Sequence, residues 1–182
     1  MHYTFRSLVA HLAAAGLVAV GGNAIAAPQA DIHALAQKQQ QPYLDTLRDL
    51  VHIESGSKDI EGTEKIANYV AGKLREQGGK VDIIQPTDIY KLGDTPDRIG
   101  PMVHAEFKGK GKSRIMLIAH LDTVYLRGML KDQPFRVEGD RAYGLGIADD
   151  KQGVALILHT VAMLRQLNVV NYGTLTVLMN SD

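Results

Sequence analysis

The fold turns on nine residues, Ile115-Met116-Leu117-Ile118-Ala119-His120-Leu121-Asp122-Thr123. Five consecutive apolar side chains, entered from the tight basic turn Gly109-Lys110-Gly111-Lys112, lead straight into polar residues. Such a run predicts a central strand buried on both faces. In an open α/β sheet, ligands gather in the crevice beyond the carboxyl ends of the strands, and at this end stand His120 and Asp122. Residues two apart on an extended chain point to one side, so the imidazole and the carboxylate can enter that crevice together. A carboxylate beside a histidine suits a metal ligand and its partner, because it fixes the ring tautomer and raises its basicity. Taken alone, the pair also fits an Asp that caps the next turn beside a His that merely ends a strand.

Outward from this strand, helices and strands alternate. Residues 40–52 place Tyr43, Leu44, Leu47, Leu50 and Val51 at three-and-four spacing on one helical face. Pro42 falls in the first turn, where a missing N–H is tolerated. Turn chemistry follows at Glu54-Ser55-Gly56-Ser57. A second helix opens at Gly62-Thr63-Glu64, turns Ile66, Val70 and Leu74 to the core and closes at Gly78-Gly79. Short strands are expected at 80–84 and 103–107, separated by a proline-bearing surface loop over 85–101. Beyond the central strand, 135–138 with Gly139-Asp140 reads as one arm of a hairpin. A strongly apolar helix over 153–167 and a buried strand over 174–179 complete the pattern. The alternation predicts an α/β domain, a largely parallel mixed sheet flanked by helices.

A second constellation precedes that last helix: Tyr143-Gly144-Leu145-Gly146-Ile147-Ala148-Asp149-Asp150-Lys151. Two glycines allow tight backbone, and two carboxylates follow. Acidic residues there complement the positive end of the helix dipole; equally, one of them can bind metal, bridging two ions, in a loop shaped by glycine. A phosphate cradle is disfavoured, because position 149 of a dinucleotide fingerprint would be glycine and carboxylates repel phosphate. His52 and His159 lie on predicted helices as structural or surface residues, and His104 with Glu106 belongs to a solvated sheet face. Ser55 and Ser57 lack the context of a nucleophile elbow.

The 182 residues carry 20 Lys+Arg against 20 Asp+Glu, no Cys and no Trp. Charge balance without a dense basic run argues against nucleic-acid binding. The absence of Cys excludes disulfide frameworks, thiolate metal sites and cysteine nucleophiles, so a metal must be held by His and carboxylates. At the N-terminus, Arg6 precedes an apolar run from Leu8 to Val20, broken only by His11. Gly21-Gly22-Asn23 and then Ala24-Ile25-Ala26 provide the small residues of a cleavage site after Ala26. Residues 1–26 are therefore expected to be a secretory signal, with 27–182 as the mature chain, periplasmic or secreted and without a membrane anchor after cleavage.

His120-Leu121-Asp122-Thr123-Val124 and, 29 positions from His120 to Asp149, the Gly144–Lys151 stretch together resemble the zinc-dependent aminoacylase/carboxypeptidase metallopeptidase family, its glutamate carboxypeptidases above all. Thr123-Val124-Tyr125-Leu126, Pro134–Asp140 and Ile157-Leu158-His159-Thr160 are similar too. The resemblance implies the N-terminal part of a dizinc exopeptidase catalytic domain. In it His120 binds one zinc, Asp122 orients His120, Asp149 bridges both ions, and the Asp149–Asp150 peptide is cis. It implies hydrolysis of a C-terminal amide in a peptide, folate-like or acyl-glutamate substrate; a dipeptidase or an N-acyl-amino-acid deacylase would share the same motifs. Gln152 stands where such sequences have glycine, and Leu145 where they commonly have proline. Leu178-Met179-Asn180-Ser181-Asp182 is similar to the strand entering the family's Asp-Glu-Glu motif. The general base, further ligands and the lid domain that mediates homodimerisation would follow, so this chain alone is expected to bind metal weakly and to be inactive. The rival expectation is a non-catalytic periplasmic α/β binding module.

Overall fold

The computed structural model describes residues 26–93 and 95–181, with side chains from residue 31 onward. The expected signal lies outside these residues apart from Ala26, as does Asp182. The chain divides into two units, residues 1–37 and 38–182. The described part of the first is a helix the sequence pattern does not announce, α1 (Ala26–Lys38), whose described side chains are exposed, Ile32 among them, except for a half-buried Leu35.

In the second unit α2 (Gln40–His52) and α3 (Ile60–Glu76) form as expected. Asp59 caps α3 by accepting from the Gly62 N–H at 3.1 Å, which satisfies one of the orphan donors of the first turn. Arg127 also pairs with Asp59 and holds its carboxyl below the usual range. Ile66, Val70 and Leu74 are fully buried, each such side chain contributing ~1.5–3 kcal/mol by leaving water. They pack on β1 (Lys80–Ile84) and β2 (Met102–Lys108). β3 (Arg114–His120) follows, then a small hairpin of β4 (Arg136–Glu138) and β5 (Arg141–Tyr143). Next come α4 (Gln152–Gln166) and β6 (Thr174–Asn180).

The main sheet has the order β1-β2-β6-β3. It is mixed and flanked by helices, but its parallel share is smaller than the alternating pattern suggests. β1 with β2 and β2 with β6 are antiparallel, and β3 with β6 is the one parallel ladder. The reason lies in the connections: α4 provides the crossover that a parallel pair requires, whereas only a loop joins β1 to β2. β6 enters between β2 and β3, so the turn after β2 must span two strand widths. It is stitched to the approach of β6 by Gly109 N to Gly173 O at 3.0 Å and Gly111 N to Tyr172 O at 2.8 Å. A Cβ on Gly109 would stand 1.9 Å from the Tyr172 carbonyl oxygen, which is why glycine occupies that place.

One expectation is corrected. The run 115–119 is not a central strand; β3 is the edge of the four-stranded sheet, with Ile115, Met116 and Ile118 exposed. Helices cover a single face among the described residues, so β2 and β6 bury alternate side chains only: Val103, Ala105 and Phe107, then Leu175, Val177 and Met179. An open apolar edge accordingly belongs to β3.

Candidate metal centre

The carboxyl end of β3 does place His120 and Asp122 together. His120 lies opposite Asn180 in the β3–β6 ladder, and the Leu121 N–H continues it by donating to Asn180 O at 2.8 Å. His120 Nδ1 lies 3.1 Å from Asp122 Oδ1, and His120 Nε2 lies 2.8 Å from Asp149 Oδ1. The two sequence constellations, 29 positions apart, thus meet on one imidazole ring. Asp122 is buried, whereas the Asp149 side chain is 78% exposed in the crevice. Burial opposes charging of His120, but hydrogen bonds to Asp149 and Asp122 outweigh it and raise its pKa above the ordinary 6.5.

Behind this ring stands the connection from α2 to α3. Ser57 Oγ donates to Asp122 Oδ2 at 2.7 Å, so the two carboxylate oxygens are divided between Ser57 and His120. Ser55 is buried and donates its hydroxyl to Leu121 O at 2.8 Å. Backbone bonds Thr123 N to Ser55 O and Ser57 N to Thr123 O, at 2.8 and 2.9 Å, lock the two segments side by side. The serines are therefore not nucleophiles, as their sequence context requires, but their part in holding Asp122 carries no signature in the chain: a serine directly after a turn glycine looks like turn chemistry and nothing more.

The Asp149 segment is an irregular turn over Ile147–Lys151 with a cis peptide between Asp149 and Asp150. Gly146 enters it at φ 71, and a Cβ there would lie 2.5 Å from Thr123 Cγ2. Lys151 closes it. That side chain is 2% exposed and donates from Nζ to Leu50 O at 2.9 Å and Ile53 O at 2.6 Å. Burial lowers its pKa to about 8. A cavity of about 500 Å³, lined by Ser57, Ile118, His120, Asp122, Asp150 and Asn180 among others, opens in front of the ring.

His52, His104 and His159 lie apart from this centre. His159 is satisfied by Thr46 Oγ1 and Gln39 Oε1, both at 2.9 Å, in keeping with a structural role.

The donor chemistry fits a divalent metal in part. In the neutral tautomer whose Nδ1 hydrogen goes to Asp122, His120 would present its Nε2 lone pair beside the Asp149 carboxylate, an N/O pair that a zinc ion placed between them could accept. Among the described residues no group of three or more His, Asp or Glu side chains is gathered for a metal.

Fold and centre together define the class: an α/β domain whose His–carboxylate pair lies at the carboxyl end of a sheet strand. Residues 116–182 match Peptidase family M20/M25/M40, and the chain is related to the metallopeptidases of that family. It is 39% identical over 178 residues to carboxypeptidase G2 of Pseudomonas sp. (strain RS-16), covering 97% of this chain and 40% of that protein. In fold it is similar to human carnosine dipeptidase 1, at a TM-score of 0.66 and 20% identity over 83% of this chain and 34% of that one. It is also similar to the M20 family metallo-carboxypeptidase Sso-CP2 from Sulfolobus solfataricus, at a TM-score of 0.61 and 21% identity over 76% and 30%. The chain thus spans about two fifths of the length of the carboxypeptidase it matches.

Proposed function

We propose that this chain carries one half of the metal centre of an exported glutamate-type carboxypeptidase, acting on the C-terminal amide of a peptide, folate-like or acyl-glutamate substrate. The observation that carries the proposal is the Nε2–Oδ1 approach of 2.8 Å between His120 and Asp149, with Asp122 on the opposite ring nitrogen. His120 and Asp149 would hold zinc, and Asp149 is positioned by its exposure to face a second ion as well. When bound, zinc supplies Lewis-acid polarisation of the scissile carbonyl and favours ionisation of water. Asp122 keeps the His120 ring in one tautomer and one orientation, and Ser57 keeps Asp122 in place. A catalytic zinc ordinarily has three protein ligands. The remaining donors and the general base are proposed to come from sequence corresponding to the part of carboxypeptidase G2 that this chain does not span. The 182-residue chain by itself should therefore bind zinc weakly and turn over substrate negligibly.

Isothermal titration with zinc tests the centre. Wild type should bind in the micromolar range, and His120→Ala or Asp149→Ala should each weaken binding at least about tenfold. Wild type that takes up no zinc at micromolar concentrations would sink the metal centre and leave a binding module on the same fold. Chelator-sensitive hydrolysis of an acyl-glutamate by the 182-residue chain would refute the expected inactivity.

A further inference from the structure

We infer that Lys151 is a positioning residue: its buried ammonium, bound to the last carbonyls of α2, holds Asp149 within reach of His120. The inference rests on the metal-centre proposal for the meaning of that pair, and on geometry for the rest. An ammonium removed from water is costly unless it is well hydrogen-bonded. Lys151 nevertheless has 2% exposure and makes no salt bridge among the described residues. Its partners are Leu50 O, in the last turn of α2, and Ile53 O, at the C-cap. Both lie at the negative end of the helix dipole, where a cation is favoured.

The same residue also fixes the turn from within, by its backbone N–H and by the packing of its side chain. The Lys151 N–H donates to Gly146 O at 3.0 Å, and a Cβ on Gly146 would meet Lys151 Cε and Cδ at 3.4 and 3.5 Å. Both ends of the segment 146–151 are thus tied to Lys151, with Asp149 between them reaching His120. The residues just beyond Ile53 hold the other half of the centre, since Ser55 binds Leu121 O and Ser57 binds Asp122. The stretch 50–57 is a shared base plate, and Lys151 is the bolt that brings the Asp149 turn onto it.

Because the chain contains no cysteine, a single Cys can be placed and modified selectively. In Lys151→Cys, 2-bromoethylamine alkylates the unfolded thiolate; a C–S bond forms, bromide leaves, and an ammonium at nearly lysine length is restored on refolding. Wild type carried through the same cycle is the control. Two readouts are taken well below the melting temperature: amide exchange in 147–151 against the β2–β6 ladder, and zinc affinity by titration. In Lys151→Met, exchange in the turn should rise at least about tenfold with the ladder unchanged, and zinc should bind ~10–100-fold more weakly, as when a ligand's support is lost. The aminoethylated cysteine should bring both back to within about threefold of wild type. If Lys151→Met does not fold, Lys151→Arg, which keeps the cation but displaces it, should show the same local increase. Uniform acceleration of exchange, or an unchanged turn, overturns the inference. Absence of zinc binding by wild type refutes the metal centre instead, and the exchange data still decide the role of Lys151.

Discussion

At residue scale the centre is narrow: one imidazole ring between two carboxylates, with a glycine shaping the approach. Gly146 combines φ 71 with a would-be Cβ contact of 2.5 Å to Thr123 Cγ2. Gly146→Ala should therefore cost about 1–3 kcal/mol, read as a fall of several degrees in thermal unfolding. An unchanged melting temperature would show that the turn relaxes freely. His159 gives a pH signature of its own. Burial, with Lys73 nearby, lowers its folded pKa below 6.5, so the unfolded chain takes up the proton first. Stability then rises with pH through the window just below 6.5 and is lost as pH falls through it. His120, raised, has the opposite sign, its contribution being lost as pH rises above 6.5. Comparing wild type with His159→Gln by urea unfolding between pH 5 and 7.5 isolates the first effect; the variant should lose less stability on acidification. His120, Asp122 and Asp149 were legible in the sequence because chemistry-bearing residues ended an apolar run or followed glycines. Ser57 and Lys151 were not, since a hydroxyl in a turn and a lysine before a helix look like ordinary solvated residues until folding buries their partners.

At the scale of elements, apolar spacing and turn residues located α2, α3 and α4 to within a residue or two of their ends; α3 and α4 lie against the sheet and α2 packs on α4. Strand placement was equally legible; strand order was not. An apolar run such as 115–119 reads the same at the centre of a sheet and at an edge, since nothing local records what lies beyond it. Met116 is 56% exposed on β3, and an exposed apolar edge invites pairing with another chain. Met116→Lys should slow aggregation in light scattering while changing stability by no more than about 0.5 kcal/mol. A large loss of stability would mean that this face is covered in solution.

At the scale of the molecule, chain order and spatial order diverge. β2 and β3 are separated by only a few residues in sequence, yet β6, the last described element, lies between them and carries both of their ladders. Deleting residues 174–182 should leave no cooperative unfolding transition by circular dichroism, because two of the three ladders of the sheet go with them. A cooperative transition in the shortened chain would show that β2 and β3 can pair directly. The placement of β6 also sets a schedule during translation. Synthesis runs at ~5–20 residues per second, so about 3–12 s separate the appearance of His120 from that of Asn180. For those seconds β3 stands complete on the nascent chain with no ladder partner, while β1 and β2 already have each other to pair with.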